Sequence, residues 1–228
     1  MKNTAIVTGA SSGIGREISR VLVEMGYEVY GFGREFPEEE VYFHPIVCDL
    51  LNTPELERQI KEIRRRNEVS LLVNNAGVGY YGLHEELNVQ KIQKLVRTNL
   101  EVPMVLTNLL LRDLKKYSGT VINISSVTAQ LSNPHGCAYG ATKAGLSSFS
   151  RSLFDEVRKY GVRVVTIQPD MTKTGLYRNA DFAQGEEEAS YLLPEEIAEA
   201  VRNILQMREG AVVTEITLRP QLHRIRRK

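Results

Sequence analysis

A chain of 228 residues, 42% hydrophobic and 25% charged, has the size and composition of one α/β domain whose core needs no disulfide staples, and neither disorder nor a repeat architecture is favoured. A net charge of +1 gives no reason to expect nucleic acid or an anionic membrane as partner, and no apolar run approaches the ~20 residues of a bilayer span. Two widely separated cysteines, Cys48 and Cys137, and four histidines outside any metal-ligand spacing point to reduced thiols, a cytoplasmic location and no metal site.

In chain order, β-branched apolar runs alternate with segments of helical period. Strand-like runs fall at 5–8, 28–32, 45–48, 70–73, 120–124, 163–167 and 211–218. Between the first two, Ile14, Ile18, Val21, Leu22 and Met25 form one apolar stripe that Gly26 ends. Thr53-Pro54-Glu55 opens a helix to Arg66, with threonine as its expected N-cap. A long helix is expected over 89–116, kinked or broken at Pro103, then another over 139–160, and Pro194-Glu195-Glu196 begins the last. Strands that are apolar throughout, rather than alternating, belong to a parallel sheet covered on both faces. The repeated βαβ order predicts a single α/β domain: a doubly wound, mostly seven-stranded parallel sheet with helices on both faces, the Rossmann fold. The one long irregular segment, 170–193, carries Gly175 and the run G-E-E-E at 185–188 and is expected to be a lid. The basic ending H-R-I-R-R-K at 223–228 reads as a solvated terminus.

Directly after the first strand comes T-G-A-S-S-G-I-G, residues 8–15. Gly9, Gly13 and Gly15 supply the tight turn and close backbone approach that a pyrophosphate needs, and Ser11, Ser12 and Ile14 stand at the start of a helix whose free N–H groups and positive dipole end favour an anion. The end of the second strand reads G-F-G-R-E-F at 31–36, where an acidic residue would take the ribose 2′-hydroxyl of NAD. Arg34 instead offers a guanidinium suited to a 2′-phosphate, so NADP (NADPH) is preferred. Glu35, turned toward the ribose, would favour NAD, and the acidic block at 38–40 lowers the local potential for a phosphate.

The stretch C-A-Y-G-A-T-K-A-G at 137–145 puts Tyr139 one helical turn ahead of Lys143. A phenol of ordinary pKa is a poor acid–base catalyst near neutrality. A nearby ammonium stabilises the phenolate, so the pair reads as a tyrosine tuned to donate a proton near pH 7. Only one of the ten tyrosines has lysine four residues on.

With Asp49 closing the third strand, N-N-A-G at 74–77, Asn99 in R-T-N-L and Ser126 in I-N-I-S-S-V thirteen residues before Tyr139, the chain resembles the short-chain dehydrogenase/reductases along essentially its whole length. The resemblance implies reversible hydride transfer between a nicotinamide cofactor and a small alcohol or carbonyl. Tyr139 is then the general acid and base, Ser126 donates a hydrogen bond to the substrate oxygen, Lys143 also holds the ribose, and Asn99 holds a relay water. Asp49 and Leu50, with Asn75, Ala76 and Gly77, fall along the adenosine half of the cofactor; Pro169, Thr172 and Thr174 fall at its nicotinamide end. It also implies a homodimer or homotetramer paired through the two long helices. The chain departs from the family where Asp170 follows Pro169 in place of glycine; aspartate tolerates left-handed geometry, so the turn is expected to survive. His135 and Cys137 are candidates to face the substrate, and Tyr80 and Tyr81 to line its pocket or pack beneath the lid. Two rival readings are a non-catalytic NAD(P)-binding regulator on the same fold and an interaction module without cofactor.

Overall fold

The computed structural model describes residues 3–36 and 42–227; the acidic block at 38–40 lies outside them. In chain order the elements are β1 (Thr4–Thr8), α1 (Gly13–Glu24), β2 (Glu28–Gly33), β3 (His44–Val47), α2 (Thr53–Arg66) and β4 (Val69–Asn74). There follow α3 (Val89–Val96), α4 (Val102–Lys116), β5 (Thr120–Ile124), α5 (Cys137–Val157), β6 (Arg163–Pro169), β7 (Phe182–Gln184), α6 (Pro194–Leu205), β8 (Glu215–Leu218) and β9 (Ile225–Arg227). Seven strands form one sheet in the order β3-β2-β1-β4-β5-β6-β8, every pairing parallel. This is the expected doubly wound architecture.

The strands are apolar throughout because both faces are covered, and a period of two divides their side chains between two cores. Ala5 and Val7 of β1, Leu71 and Val73 of β4, and Val165 and Ile167 of β6 pack with Ile18, Val21 and Leu22 of α1 and with Ile197 and Val201 of α6. Their neighbours Ile6, Leu72 and Val164 face the other way, toward Ile60 of α2, Leu106 and Leu110 of α4, and Leu153 of α5. The chain winds outward from β1 through β2 to β3, then restarts at β4 in the opposite direction. A crevice therefore opens at the carboxyl ends of β1 and β4.

Four details differ from the sequence expectations. Asn52, not Thr53, caps α2, its side chain accepting from the Glu55 N–H at 3.4 Å, and Pro54 occupies the second helical position. The long helix divides into α3 and α4 across a π-helical turn, Arg97–Glu101, in which the Val102 N–H reaches back five residues to the Arg97 carbonyl. Pro103, which has no N–H to give residue 99 in an α-helical register, is the second residue of α4, two places after this turn. Only Glu215–Leu218 of the run 211–218 joins the sheet, while Val213 packs against the α1–α6 side. Finally β7 and β9 form an antiparallel ribbon, so the basic end of the chain, exposed as expected, is also paired as a strand.

Candidate active site

The crevice is a cleft of about 540 Å³ that runs from the β2–β3 side of the sheet to the β5–β6 side. At its floor Gly9 and Gly13 hold φ of +66° and +53°, which side chains rarely adopt. A side chain at Gly15 would run into the Gly9 carbonyl, so α1 packs directly on the loop it leaves. The Thr8 hydroxyl accepts from the N–H groups of Asn75 and Ala76, both at 3.0 Å, and the Asn75 amide donates to the Thr8 carbonyl at 2.8 Å. The ends of β1 and β4 are thus tied into one wall. Ser12 makes no side-chain cap, and Ser12, Gly13 and Ile14 at the start of α1 line the cleft. A glycine floor under a helix N-terminus fits the pyrophosphate of a dinucleotide.

Ser11, Arg34, Asp49, Leu50, Ala76 and Gly77 also line the cleft, whereas Glu35 is exposed outside its walls. The Asp49 carboxylate accepts from the Leu51 N–H at 3.0 Å, and Arg97, a residue sequence reasoning did not single out, donates to the Leu51 carbonyl at 2.8 Å across the same rim. Pro169, Thr172 and Thr174 line the far wall. Thr172 is fixed by donating to the Asp170 carbonyl at 2.9 Å, and the Thr174 methyl stands 3.2 Å from where a side chain on Gly13 would begin. Asp170 does not take left-handed geometry: its carboxylate accepts from the Met171 N–H at 2.9 Å and pairs with Arg219 at 3.1 Å. The turn therefore stands on that carboxylate and not on positive φ.

Ser126 follows β5, and Tyr139 and Lys143 lie in the first turns of α5. All three are buried and line the cleft. Ser125 holds the two elements together, its hydroxyl donating to the Lys143 carbonyl at 3.0 Å and meeting the Ser147 hydroxyl at 2.9 Å. The Thr128 N–H and hydroxyl both donate to Ser126 Oγ, at 3.2 and 3.0 Å. Gly77 is the point of closest convergence: an added Cβ would stand 3.7 Å from Lys143 Nζ and 3.5 Å from Asn99 Oδ1.

The electrostatics depart from the sequence expectation. Lys143 Nζ donates to the Ile124 carbonyl at 2.8 Å and stands 5.8 Å from the centre of the Tyr139 ring. Burial pushes the Tyr139 phenol up to about 12, with the Ser126 hydrogen bond pulling it down. Burial also brings Lys143 down to about 8.

Gly15 and Asn99 stand behind the cleft walls. The Asn99 carboxamide is spent on Val78, accepting from its N–H at 2.9 Å and donating to its carbonyl at 3.0 Å, and it reaches Thr142 at 3.2 Å. His135 and Cys137 are also outside the walls; His135 holds a φ of +63° and its carbonyl accepts from Gly82, while Cys137 is exposed. Cys48 lines the cleft instead, and burial pushes its thiol up. Tyr80 lines the cleft, and Tyr81 packs against Tyr139 with ring centres 5.6 Å apart. Tyr177 and Phe182, from the segment 170–193, pack on Tyr81 at 6.0 and 5.0 Å. Aromatic residues in a segment without periodicity gave no sequence signal of that wall. Among the described residues no cluster of three potential metal ligands occurs, and no helix is long and apolar enough to cross a membrane.

A doubly wound parallel sheet with a glycine floor and a Ser–Tyr–Lys group on one cleft defines a dinucleotide-binding protein of the oxidoreductase type. The family described as short chain dehydrogenase matches residues 3–184, and the chain belongs to that family. It is 32% identical over 191 residues to an NADPH-dependent 3-dehydrocapnine reductase of Ornithobacterium rhinotracheale, covering 77% of this chain and 68% of the relative. It is 33% identical over 183 residues to a serine 3-dehydrogenase of Agrobacterium fabrum, covering 76% and 74%. Among solved structures, an alcohol dehydrogenase from the archaeon Thermococcus sibiricus, complexed with 5-hydroxy-NADP, superposes with a TM-score of 0.85 at 28% identity over 98% of both chains.

Proposed function

We propose that this protein is an NADP(H)-dependent oxidoreductase that interconverts a small alcohol and its carbonyl, with Tyr139 as acid in reduction and base in oxidation. The observation that carries the reading is the convergence of Ser126, Tyr139 and Lys143 on the cleft floored by Gly9 and Gly13. Gly9, Ser11, Ser12, Gly13 and Ile14 would hold the pyrophosphate, Asp49, Leu50 and Asn75 to Gly77 the adenosine half, and Pro169, Thr172 and Thr174 the nicotinamide end. When bound, the nicotinamide supplies the hydride.

In reduction Tyr139 gives its phenolic proton to the carbonyl oxygen, forming the alcohol and leaving a phenolate. Thr128 fills the lone pairs of Ser126 Oγ from two donors, so the one hydrogen bond Ser126 can give is through its own proton, which reaches Tyr139 and would be shared with the substrate oxygen. The Lys143 ammonium, anchored on the Ile124 carbonyl, stabilises the phenolate once it forms. Asn99, whose carboxamide is committed to Val78, is assigned the relay water. Because Tyr139 stays protonated up to about pH 12 whereas Lys143 loses its proton near 8, kcat/KM for reduction should be flat below about pH 7 and fall as pH rises through about 8.

NADP is favoured because Arg34 lines the cleft and Glu35 does not. The NADPH-dependent relative and the NADP-type ligand of the archaeal structure support it. A cytoplasmic setting fits two free thiols, one buried and one exposed. A homodimer or homotetramer fits the exposed Val89, Val96 and Met104 on α3 and α4. The test is a panel of small carbonyls with NADPH, followed by nicotinamide absorbance. Turnover by the wild type and its loss in Tyr139→Phe support the reading; NADPH binding without turnover of any carbonyl defeats it.

A further inference from the structure

We propose that the basic end of the chain, residues 222–227, is a strap that holds the segment 177–187 against the Tyr139 side of the cleft and thereby sets substrate affinity. This rests on the reading of Tyr139 as the proton donor. β7 pairs antiparallel with β9, placing Phe182 opposite Arg227, Ala183 opposite Arg226 and Gln184 opposite Ile225. The contact continues past the ribbon: the Gly185 N–H donates to the Arg224 carbonyl at 3.0 Å, and the Leu222 N–H donates to the Ala189 carbonyl at 2.8 Å. Charge is matched along the same line. Arg224 pairs with Glu187, and Arg226 lies 3.6 Å from Glu186. The approach is close: a Cβ on Gly185 would stand 3.1 Å from the Arg224 carbonyl oxygen and 2.6 Å from Ser190 Oγ.

The other side of β7 faces the chemistry. Phe182 packs on Tyr81 at 5.0 Å and on Tyr177 at 5.6 Å, and Tyr81 packs on Tyr139 at 5.6 Å. A parallel bridge between Thr172 and Leu192 anchors the base of the same segment. The segment is therefore pinned at its base to the sheet side, through Tyr177 and Phe182 to Tyr81, and at β7 to the basic end of the chain. A two-stranded ribbon is marginal alone, and exposed ion pairs are individually weak. Only the sum of ladder, charge and ring packing holds the strap, so it is releasable.

Four proteins test this: the full chain, a chain lacking 223–228, a full-length Arg224→Glu/Arg226→Glu variant, and that variant with Glu186→Arg/Glu187→Arg added, each also carrying Phe182→Trp as the sole tryptophan of a chain that has none. Deletion should raise KM for a reducible carbonyl about tenfold while kcat changes less than about threefold and NADPH affinity is kept. It should also shift the tryptophan emission to the red. Charge reversal should move both readouts the same way by less, and adding Glu186→Arg/Glu187→Arg should restore them. If the deletion fails to fold, the full-length charge variants decide. An unchanged KM or an unchanged emission maximum overturns the proposal. If the full chain reduces no carbonyl, the proposed function fails, and the emission still decides whether the end of the chain holds the segment.

Discussion

Lys143 is an ammonium buried at 4% exposure, and the cost of that burial is written in its pKa, which falls from 10.5 to about 8. Between those values the unfolded chain holds the extra proton, so this residue's contribution to stability rises with pH across about 8–10.5 and is lost as pH falls through about 8. Tyr139 acts oppositely: its pKa is raised from 10.0 to about 12, so the stability it contributes is present below pH 10 and lost as pH rises toward 12. Lys143→Met should therefore be more stable than the wild type at pH 7 by about 1–2 kcal/mol, after discounting the lost hydrogen bond to Ile124, with the advantage shrinking by pH 10. Urea unfolding at the two pH values checks this, and a less stable variant at pH 7 would show that the ammonium is not held at a cost. Arg34 makes a separate, cofactor-side prediction. Arg34→Leu should weaken NADPH by about 1.5–3 kcal/mol, roughly 10–100-fold, and leave NADH little changed, as read by titration of each nucleotide.

At the scale of elements, legibility followed periodicity. The stripe of α1, the uniformly apolar strands and the glycine floor could be read because each is a local pattern with one physical meaning. The join of α3 to α4 was legible only as a break at Pro103; that it would be a π-turn, with the Asn99 carboxamide committed to Val78, depends on packing that no local pattern encodes. The pair Tyr139 and Lys143 was correctly placed on one helix beside Ser126, but its electrostatics were misjudged. Spacing shows proximity, whereas desolvation depends on what covers the site, and Tyr81 and Tyr177 do the covering. The ribbon of β7 and β9 was missed for a related reason: a three-residue strand has no period to detect, and its partner lies 40 or more residues away in sequence. The charges were visible, G-E-E-E at 185–188 and R-I-R-R at 224–227, but not their pairing.

For the whole molecule, one parallel sheet delivers every part of the proposed chemistry to one edge. The reversal between β1 and β4 opens the cleft, the ends of β1 and β4 floor it, and β5 with α5 brings the proton-handling group to its far side. Assembly belongs to this scale too. Light scattering at micromolar concentration should give a dimer or tetramer, and replacing the exposed Val96 and Met104 of α3 and α4 with glutamate should lower that mass; a monomeric wild type would contradict the assignment. Proton transfer by Tyr139 is tested most directly by measuring kcat/KM for carbonyl reduction beside NADPH affinity in the wild type and Tyr139→Phe. The predicted result is a loss of at least about a hundredfold in kcat/KM with NADPH affinity unchanged within about twofold. Equal turnover by the two proteins would contradict it.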